Sequence, residues 1–309
     1  MPYRSGISIL VAKIILGIRY MLNSANEKIR EMRLAHHRSL KAATPLIMGV
    51  LNITPDSFSD GGKFLMWDAA ETRVREMIAE GADIIDIGGE STRPGSDVVD
   101  INEELERVVP AIKAIRRFTD VPISIDTTKA EVARQSLSAG ADIINDISAA
   151  RFDSHIVEIA KEYDAPIILM HMLGNPKSMQ SDPYYDNCVK EIVRFFSERV
   201  EFCLRHGLSK DKIIIDPGIG FGKRLKDNIE ILQNISEFKA LGYPLLLGAS
   251  RKSFIGMITG KKNDPEKRIG GSIASALIGA MCGADILRVH DVAPTIEAIK
   301  VFRAIEGIE

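Results

Sequence analysis

Gly140-Ala-Asp-Ile-Ile-Asn-Asp146 compresses the architecture of the chain into seven residues. The glycine can take the left-handed conformation that ends a helix, Ala-Asp makes a short turn, and the isoleucines open a strand. The strand then stops on two polar side chains. Gly-Ala-Asp-Ile recurs at 81–84 and at 283–286, each time after a helical stretch and before an apolar run. Shared turn chemistry is enough to explain the repeat.

Working outward from these points, eight short runs rich in leucine or β-branched residues emerge. They are Leu46–Leu51, Asp83–Ile87, Pro122–Ile125, Ile143–Ile144, Pro166–Met170, Lys212–Ile215, Pro244–Leu247 and Asp285–Val289. The runs are continuously apolar rather than alternating, as expected of parallel strands covered on both faces. Between them, Asp68–Glu80, Glu103–Phe118, Tyr184–His206 and Asp227–Leu241 repeat apolar residues at helical intervals. Eight such units in about 260 residues predict an α/β fold, a single-domain, parallel eight-stranded TIM (β/α)8 barrel over residues 44–309. A doubly wound open sheet has the same alternation, because strand order is not written in one sequence.

The 309 residues are 45% hydrophobic and 27% charged, enough for a large core. A net charge of -2 argues against a nucleic-acid binder that works through a broad basic face. Cys188, Cys203 and Cys282 lie far apart without metal-ligand spacing and read as reduced thiols packed on helices. Residues 1–43 form an N-terminal extension with eight Lys/Arg against two Glu. Its apolar residues at Ile7, Val11, Ile14, Ile18 and Leu22 suit an amphipathic helix, too short and too interrupted by Lys13 to span a bilayer. The segment fits a targeting sequence, and fits equally an extension docked on the barrel or partly disordered. The expected location is accordingly the cytoplasm, or an organelle if these residues are a targeting signal.

The informative residues follow the strands. In order they are Asn52, Glu90, Asp126, Asn145 with Asp146, His171, Asp216, Ser250-Arg251-Lys252, and Arg288 with His290. In a parallel barrel all the strands' carboxyl ends lie on one rim, so these residues converge on one cleft. Two long loops follow the first two strands, Asn52-Ile-Thr-Pro-Asp-Ser-Phe-Ser-Asp-Gly-Gly62 and Gly88-Gly-Glu-Ser-Thr-Arg-Pro-Gly95. Loops of this length often act as lids. Neither has the Gly-Lys-Ser/Thr ending of a P-loop, and Gly218-Ile-Gly-Phe-Gly-Lys223 lacks the full nucleotide-binding fingerprint.

Those two loops, together with Ile125-Asp-Thr-Thr-Lys129, Ile144-Asn-Asp-Ile147, Leu169-Met-His-Met172, Asp216–Lys223, Ser250-Arg-Lys252 and Arg288-Val-His290, resemble the dihydropteroate synthase family over residues 46–302. The resemblance implies a folate-biosynthesis transferase, a sulfonamide target that joins 6-hydroxymethyl-7,8-dihydropterin pyrophosphate to p-aminobenzoate. It implies that Asp126, Asn145, Ile147, Met170, Asp216 and Lys252 bind the pterin. The chemistry is apt: an ionised carboxylate accepts neighbouring N–H donors, and an amide pairs with a mixed edge. It further implies Asn52, Thr92, Arg288 and His290 on the pyrophosphate, and Phe58, Thr92, Pro94, Phe221 and Ser250 around p-aminobenzoate. Mg2+, associated with the substrate pyrophosphate, would be held by Asn52, and the chain would be a homodimer.

Mechanistically, we expect the C–O bond to pyrophosphate to break largely before the amine attacks. Asp56, Arg93 and Lys252 are the catalytic candidates; Asp56 and Arg93 would order the two loops, and Phe58 would cover the p-aminobenzoate pocket. Thr-Pro-Asp-Ser is also good turn chemistry without catalytic duty. Two other functions remain in view: a pterin-binding methyltetrahydrofolate–corrinoid methyltransferase on the same barrel, and a non-catalytic pterin-binding paralogue.

Overall fold

Every one of the eight apolar runs forms a strand in the computed structural model, which describes residues 30–42, 45–53, 62–92 and 95–306. Strands β1 (Arg30–Arg33) and β2 (Ser39–Ala42) form an antiparallel hairpin ahead of them. The barrel strands are β3 (Leu46–Asn52), β4 (Ile84–Gly88), β5 (Ile123–Asp126), β6 (Ile143–Asp146), β7 (Ile167–Met170), β8 (Ile213–Asp216), β9 (Leu246–Leu247) and β10 (Ile286–Val289). The helices are α1 (Gly62–Glu80), α2 (Ile101–Arg116), α3 (Ala130–Ser138), α4 (Ile156–Glu162), α5 (Cys188–Arg205), α6 (Leu225–Gln233), α7 (Ile235–Lys239), α8 (Ser253–Thr259), α9 (Ile269–Met281) and α10 (Val292–Glu306). The helix expected over Asp227–Leu241 is broken at Asn234, whose side-chain amide donates to Glu230 O at 2.7 Å.

The sheet order decides between the two architectures. Strands run β8-β7-β6-β5-β4-β3-β10-β9, all parallel, and the bridge between Ile215 and Leu245 brings β8 to β9. A doubly wound sheet would keep two open edges; here the ring is nearly closed.

The repeated Gly-Ala-Asp-Ile has a structural purpose. Gly81, Gly140 and Gly283 all have positive φ, 103°, 114° and 91°, and end the preceding helices. Each aspartate then accepts the backbone N–H of a residue on the neighbouring strand or its lead-in: Asp83 from Ile47 at 2.7 Å, Asp142 from Ile123 at 2.8 Å, Asp285 from Leu245 at 2.7 Å. Backbone donors at the buried foot of the barrel are thereby satisfied.

Side chains alternate faces along each strand. One set packs outward against the helices, including Ile47, Ile85, Ile125, Ile144, Leu169, Ile215 and Leu287. The other fills the lower barrel: Leu46, Met48, Ile84, Ile143, Ile168, Ile214, Leu246 and Ile286. Leu34, from the turn of the hairpin, joins that inner cluster at 1% exposure. His36 Nε2 lies 3.1 Å from Leu137 O, and Arg38 pairs with Asp142 at 2.5 Å, fastening the hairpin below. Residues 30–42 thus supply part of the barrel floor. The helical spacing from Ile7 to Leu22 lies outside the described residues.

Leu34→Ala should cost about 2–5 kcal/mol by opening a cavity under the barrel. Urea denaturation measures this; an unchanged midpoint would mean that Leu34 is not the plug.

Candidate active site

Two residues beyond the apolar inner layer, the same alternation aims polar side chains into the barrel mouth. Ile84 is followed by Asp86, Ile143 by Asn145, Ile214 by Asp216 and Ile286 by Arg288. Arg288 is the hub. Its Nε donates to Asp86 Oδ2 at 2.7 Å and its Nη2 to Asp126 Oδ2 at 2.8 Å. Asn145 Nδ2 lies 3.3 Å from Asp86 Oδ2, while Asp216 Oδ1 accepts the N–H of Gly218 at 2.8 Å. Two glycines border the cluster. A Cβ on Gly248 would stand 3.8 Å from Arg288 Cβ and 3.9 Å from Asp216 Oδ2. One on Gly88 would stand 3.6 Å from Asp126 Cβ and 3.8 Å from Asn52 Oδ1.

Around this polar floor stand two further groups. Ile147, Met170, Met172, Met179 and Phe221 form a separate apolar cluster at the rim. Lys252 Nζ lies 4.0 Å from the centroid of the Phe221 ring, a cation held over an aromatic face. His290 Nδ1 and Ser250 Oγ are 3.1 Å apart. Arg251 turns away and makes a two-pronged ion pair with Asp291, at 2.6 and 3.0 Å.

Burial sets the proton affinities. Desolvation pushes Asp126 up to about 7; Arg288 opposes the rise, while Asp86 and Glu104 add to it. Desolvation likewise pushes Asp216 up to about 6, against the Gly218 N–H and Lys252. Burial also opposes the charge of Arg288, but Asp86 and Asp126 outweigh it and raise its pKa. His290 is pushed down to about 3, first by burial and then by Arg288, Arg251 and Lys252. It is therefore a neutral imidazole at physiological pH. The mouth offers carboxylates that read N–H donors, one fixed guanidinium for an anion, and a flat apolar wall.

The model of the pterin binding enzyme family matches residues 48–290. The chain belongs to the dihydropteroate synthase family of pterin-binding enzymes. Dihydropteroate synthase of Synechocystis sp. is 50% identical over 259 residues, covering 84% of this chain and 89% of that protein. The Escherichia coli K12 protein of the same name is 47% identical over 270 residues, 87% of this chain and 95% of its own. Among solved structures, Yersinia pestis dihydropteroate synthase in a sulfonamide drug complex superposes with a TM-score of 0.82 at 45% identity, covering 89% of this chain and 98% of that one. The Xanthomonas albilineans enzyme in complex with 7,8-dihydropteroate gives 0.81 at 39% identity, covering 91% and 100%.

Of the residues that the sequence singles out for a dihydropteroate synthase site, the barrel brings Asn52, Asp126, Asn145, Asp216 and Arg288 to one mouth, with the Lys252–Phe221 and Ser250–His290 pairs at strand exits beside them. Ile147 and Met170 stand in the apolar cluster beside Phe221. Thr92 is half-buried on the loop after β4, without a hydrogen bond to the cluster among the described residues. Asp56, Phe58, Arg93 and Pro94 lie outside the described residues.

Three of the residues that follow strands have partners outside the Arg288 cluster. Asp146 accepts the N–H groups of Ser148 and Ala150 at 2.7 and 2.5 Å. Glu90 pairs with Lys129, which also holds Glu104. His171 packs edge-on against Phe195, ring centroids 4.8 Å apart. Asp86, by contrast, escapes the strand-end criterion, although a charge inside Ile84-Ile-Asp-Ile87 and in phase with the inner layer is a readable signal.

Carboxyl-carbon NMR of the labelled protein should show Asp126 titrating near pH 7 and Asp216 near pH 6. Arg288→Met should move the Asp126 transition upward, because the cation stabilises the ionised form. A transition at the ordinary carboxylate value would overturn this account.

Proposed function

We infer that this barrel condenses 6-hydroxymethyl-7,8-dihydropterin pyrophosphate with p-aminobenzoate, yielding 7,8-dihydropteroate and pyrophosphate, the dihydropteroate synthase step of folate biosynthesis. The observation that carries the reading is the convergence of Asp126, Asn145, Asp216 and Arg288 on one barrel mouth. A flat heterocycle rich in N–H donors and its charged leaving group can occupy that mouth together.

The residues divide the work as follows. Ionised Asp216 and Asp126 accept donors of the pterin, Asn145 pairs with its mixed edge, and Ile147 and Met170 cover its face. Arg288 supplies the positive charge for the pyrophosphate, and neutral His290 adds a hydrogen bond rather than a second cation, with Asn52 and Thr92 completing the set. As the C–O bond breaks, its electron pair leaves with the pyrophosphate and these preorganised groups stabilise it. The amine of p-aminobenzoate then attacks the methylene carbon and loses a proton. Lys252, beside Phe221, serves both the pterin and the p-aminobenzoate sides; Ser250, Pro94 and Phe58 are assigned to the latter by the family resemblance. Asp56 and Arg93 order the two loops that keep water from the cation-like carbon.

Mg2+ fits this site in one way. Among the described residues no group of three His, Cys, Asp or Glu side chains could hold a metal ion, whereas Asn52 presents a single amide oxygen beside Gly88 at the mouth. That donor set suits an ion held mostly by pyrophosphate oxygens and water. Bound there, it would neutralise leaving-group charge.

We also place the chain in a homodimer in the cytoplasm. Helix α9 carries Ile269 and Ile278 exposed, with Met257 and Ile258 exposed on α8, and an apolar patch of this kind marks an interface. Free Cys188, Cys203 and Cys282 suit a reducing compartment.

Purified full-length protein should form dihydropteroate from the two substrates and be inhibited by a sulfonamide that mimics p-aminobenzoate. Pterin binding without turnover would instead leave a non-catalytic paralogue. Arg93→Ala and Lys252→Ala should each lower kcat/KM by roughly 100-fold or more; near-normal turnover in both removes their assignment. Light scattering should report a dimer that Ile278→Glu converts to monomer, and a wild-type monomer would end the dimer proposal.

A further inference from the structure

Between the exits of β7 and β8 lies a lysine that the chemistry above does not use. Lys223 is 3% exposed, and its Nζ sits 3.0 Å from His171 Nδ1, 3.2 Å from His171 O and 3.0 Å from Phe221 O. Three acceptors match the three N–H bonds of an ammonium group. His171 is held neutral, chiefly by burial and then by Lys223 itself, so Nδ1 is free to accept.

All three partners are neutral, and burial pushes Lys223 down to about 7. A side chain kept only for stability would be better apolar at such a site. Its hydrogen bonds fix geometry.

The geometry is a seam between two loops. Gly222, at φ 63°, lies so close to the β7 exit that a Cβ there would stand 2.7 Å from Leu173 Cβ and 2.8 Å from Leu173 O. Tyr185 Oη donates to Gly222 O at 2.8 Å, and Gly220 N donates to Asn228 Oδ1 at 2.7 Å. Residues on either side of Phe221 are thus tied, and Lys223 ties the Phe221 carbonyl itself. The ring on that residue is the one Lys252 lies against.

We propose that Lys223 is a positioning residue for the p-aminobenzoate side of the site, fixing Phe221 by joining its carbonyl to His171 across the two loop roots. The inference rests on the placement of p-aminobenzoate beside Phe221, and the test separates the two.

Initial rates are measured on full-length Phe221→Ala, Lys223→Met and the double variant. Phe221→Ala should raise KM for p-aminobenzoate about tenfold; Lys223→Met should raise it about fivefold, with its kcat within about twofold of wild type. Because Lys223 acts through Phe221, the double variant should match Phe221→Ala alone. If Phe221→Ala leaves that KM unchanged, the placement of p-aminobenzoate fails and takes the proposal with it. If Phe221→Ala raises it while Lys223→Met does not, or if the two effects multiply, Lys223 is no positioning residue. Should thermal melting show Lys223→Met unfolded, His171→Phe takes its place, since it removes one acceptor from a folded aromatic setting. It should raise the same KM about threefold and have no effect in the Phe221→Ala background, and any other result overturns the proposal.

Discussion

A closed eight-stranded barrel has an interior just wide enough for side chains to fill, and each strand contributes inward only at every second residue. That parity governs this molecule. The lower inner positions are Leu46, Met48, Ile84, Ile143, Ile168, Ile214, Leu246 and Ile286, with Leu34 closing the layer from below. The next inward positions are Asp86, Asn145, Met170, Asp216 and Arg288, so floor and binding surface are successive layers of one pattern. A one-residue slip could exchange Asp86, Asp126, Asn145 or Asp216 for a neighbouring isoleucine.

Stacking polar groups on an apolar floor makes their charges interdependent. Arg288 is shared by Asp86 and Asp126, and the arrangement is tolerable because the cation and the carboxylates offset one another's desolvation. Even so, Asp126 and Asp216 hold protons far more tightly than free aspartates do. For an acid whose folded pKa is raised, the stabilising contribution is complete below the unfolded value and is lost as pH rises through the folded one. The mouth is therefore least comfortable between pH 6 and 7 and above, where both carboxylates are ionised and able to read a substrate.

Much of the site was visible before the structure. Asn52, Asp126, Asn145, Asp216 and Arg288 could be found by asking which polar residues end each apolar run, since carboxyl ends of parallel strands share a rim. Asp146 and His171 satisfy the same criterion yet serve loop turns and packing, because they sit one residue out of phase with the inner layer. Asp86 escapes that criterion because it lies inside a strand rather than at its end. The seam made by Lys223 and His171 could not be read, since its partners are 52 positions apart and include two backbone carbonyls.

The chain alone determined the alternation of strands and helices, the left-handed glycines that end helices, and the presence of Asn52, Asp126, Asn145, Asp216 and Arg288 at strand ends. These depend on local backbone preference and on apolar periodicity, both properties of neighbouring residues. Only the tertiary structure decided that the sheet closes, that residues 30–42 plug its floor, and that Arg288 answers to Asp86 across 202 positions. Closure and charge pairing depend on which side chains meet after the chain returns on itself, and no neighbour in sequence carries that information.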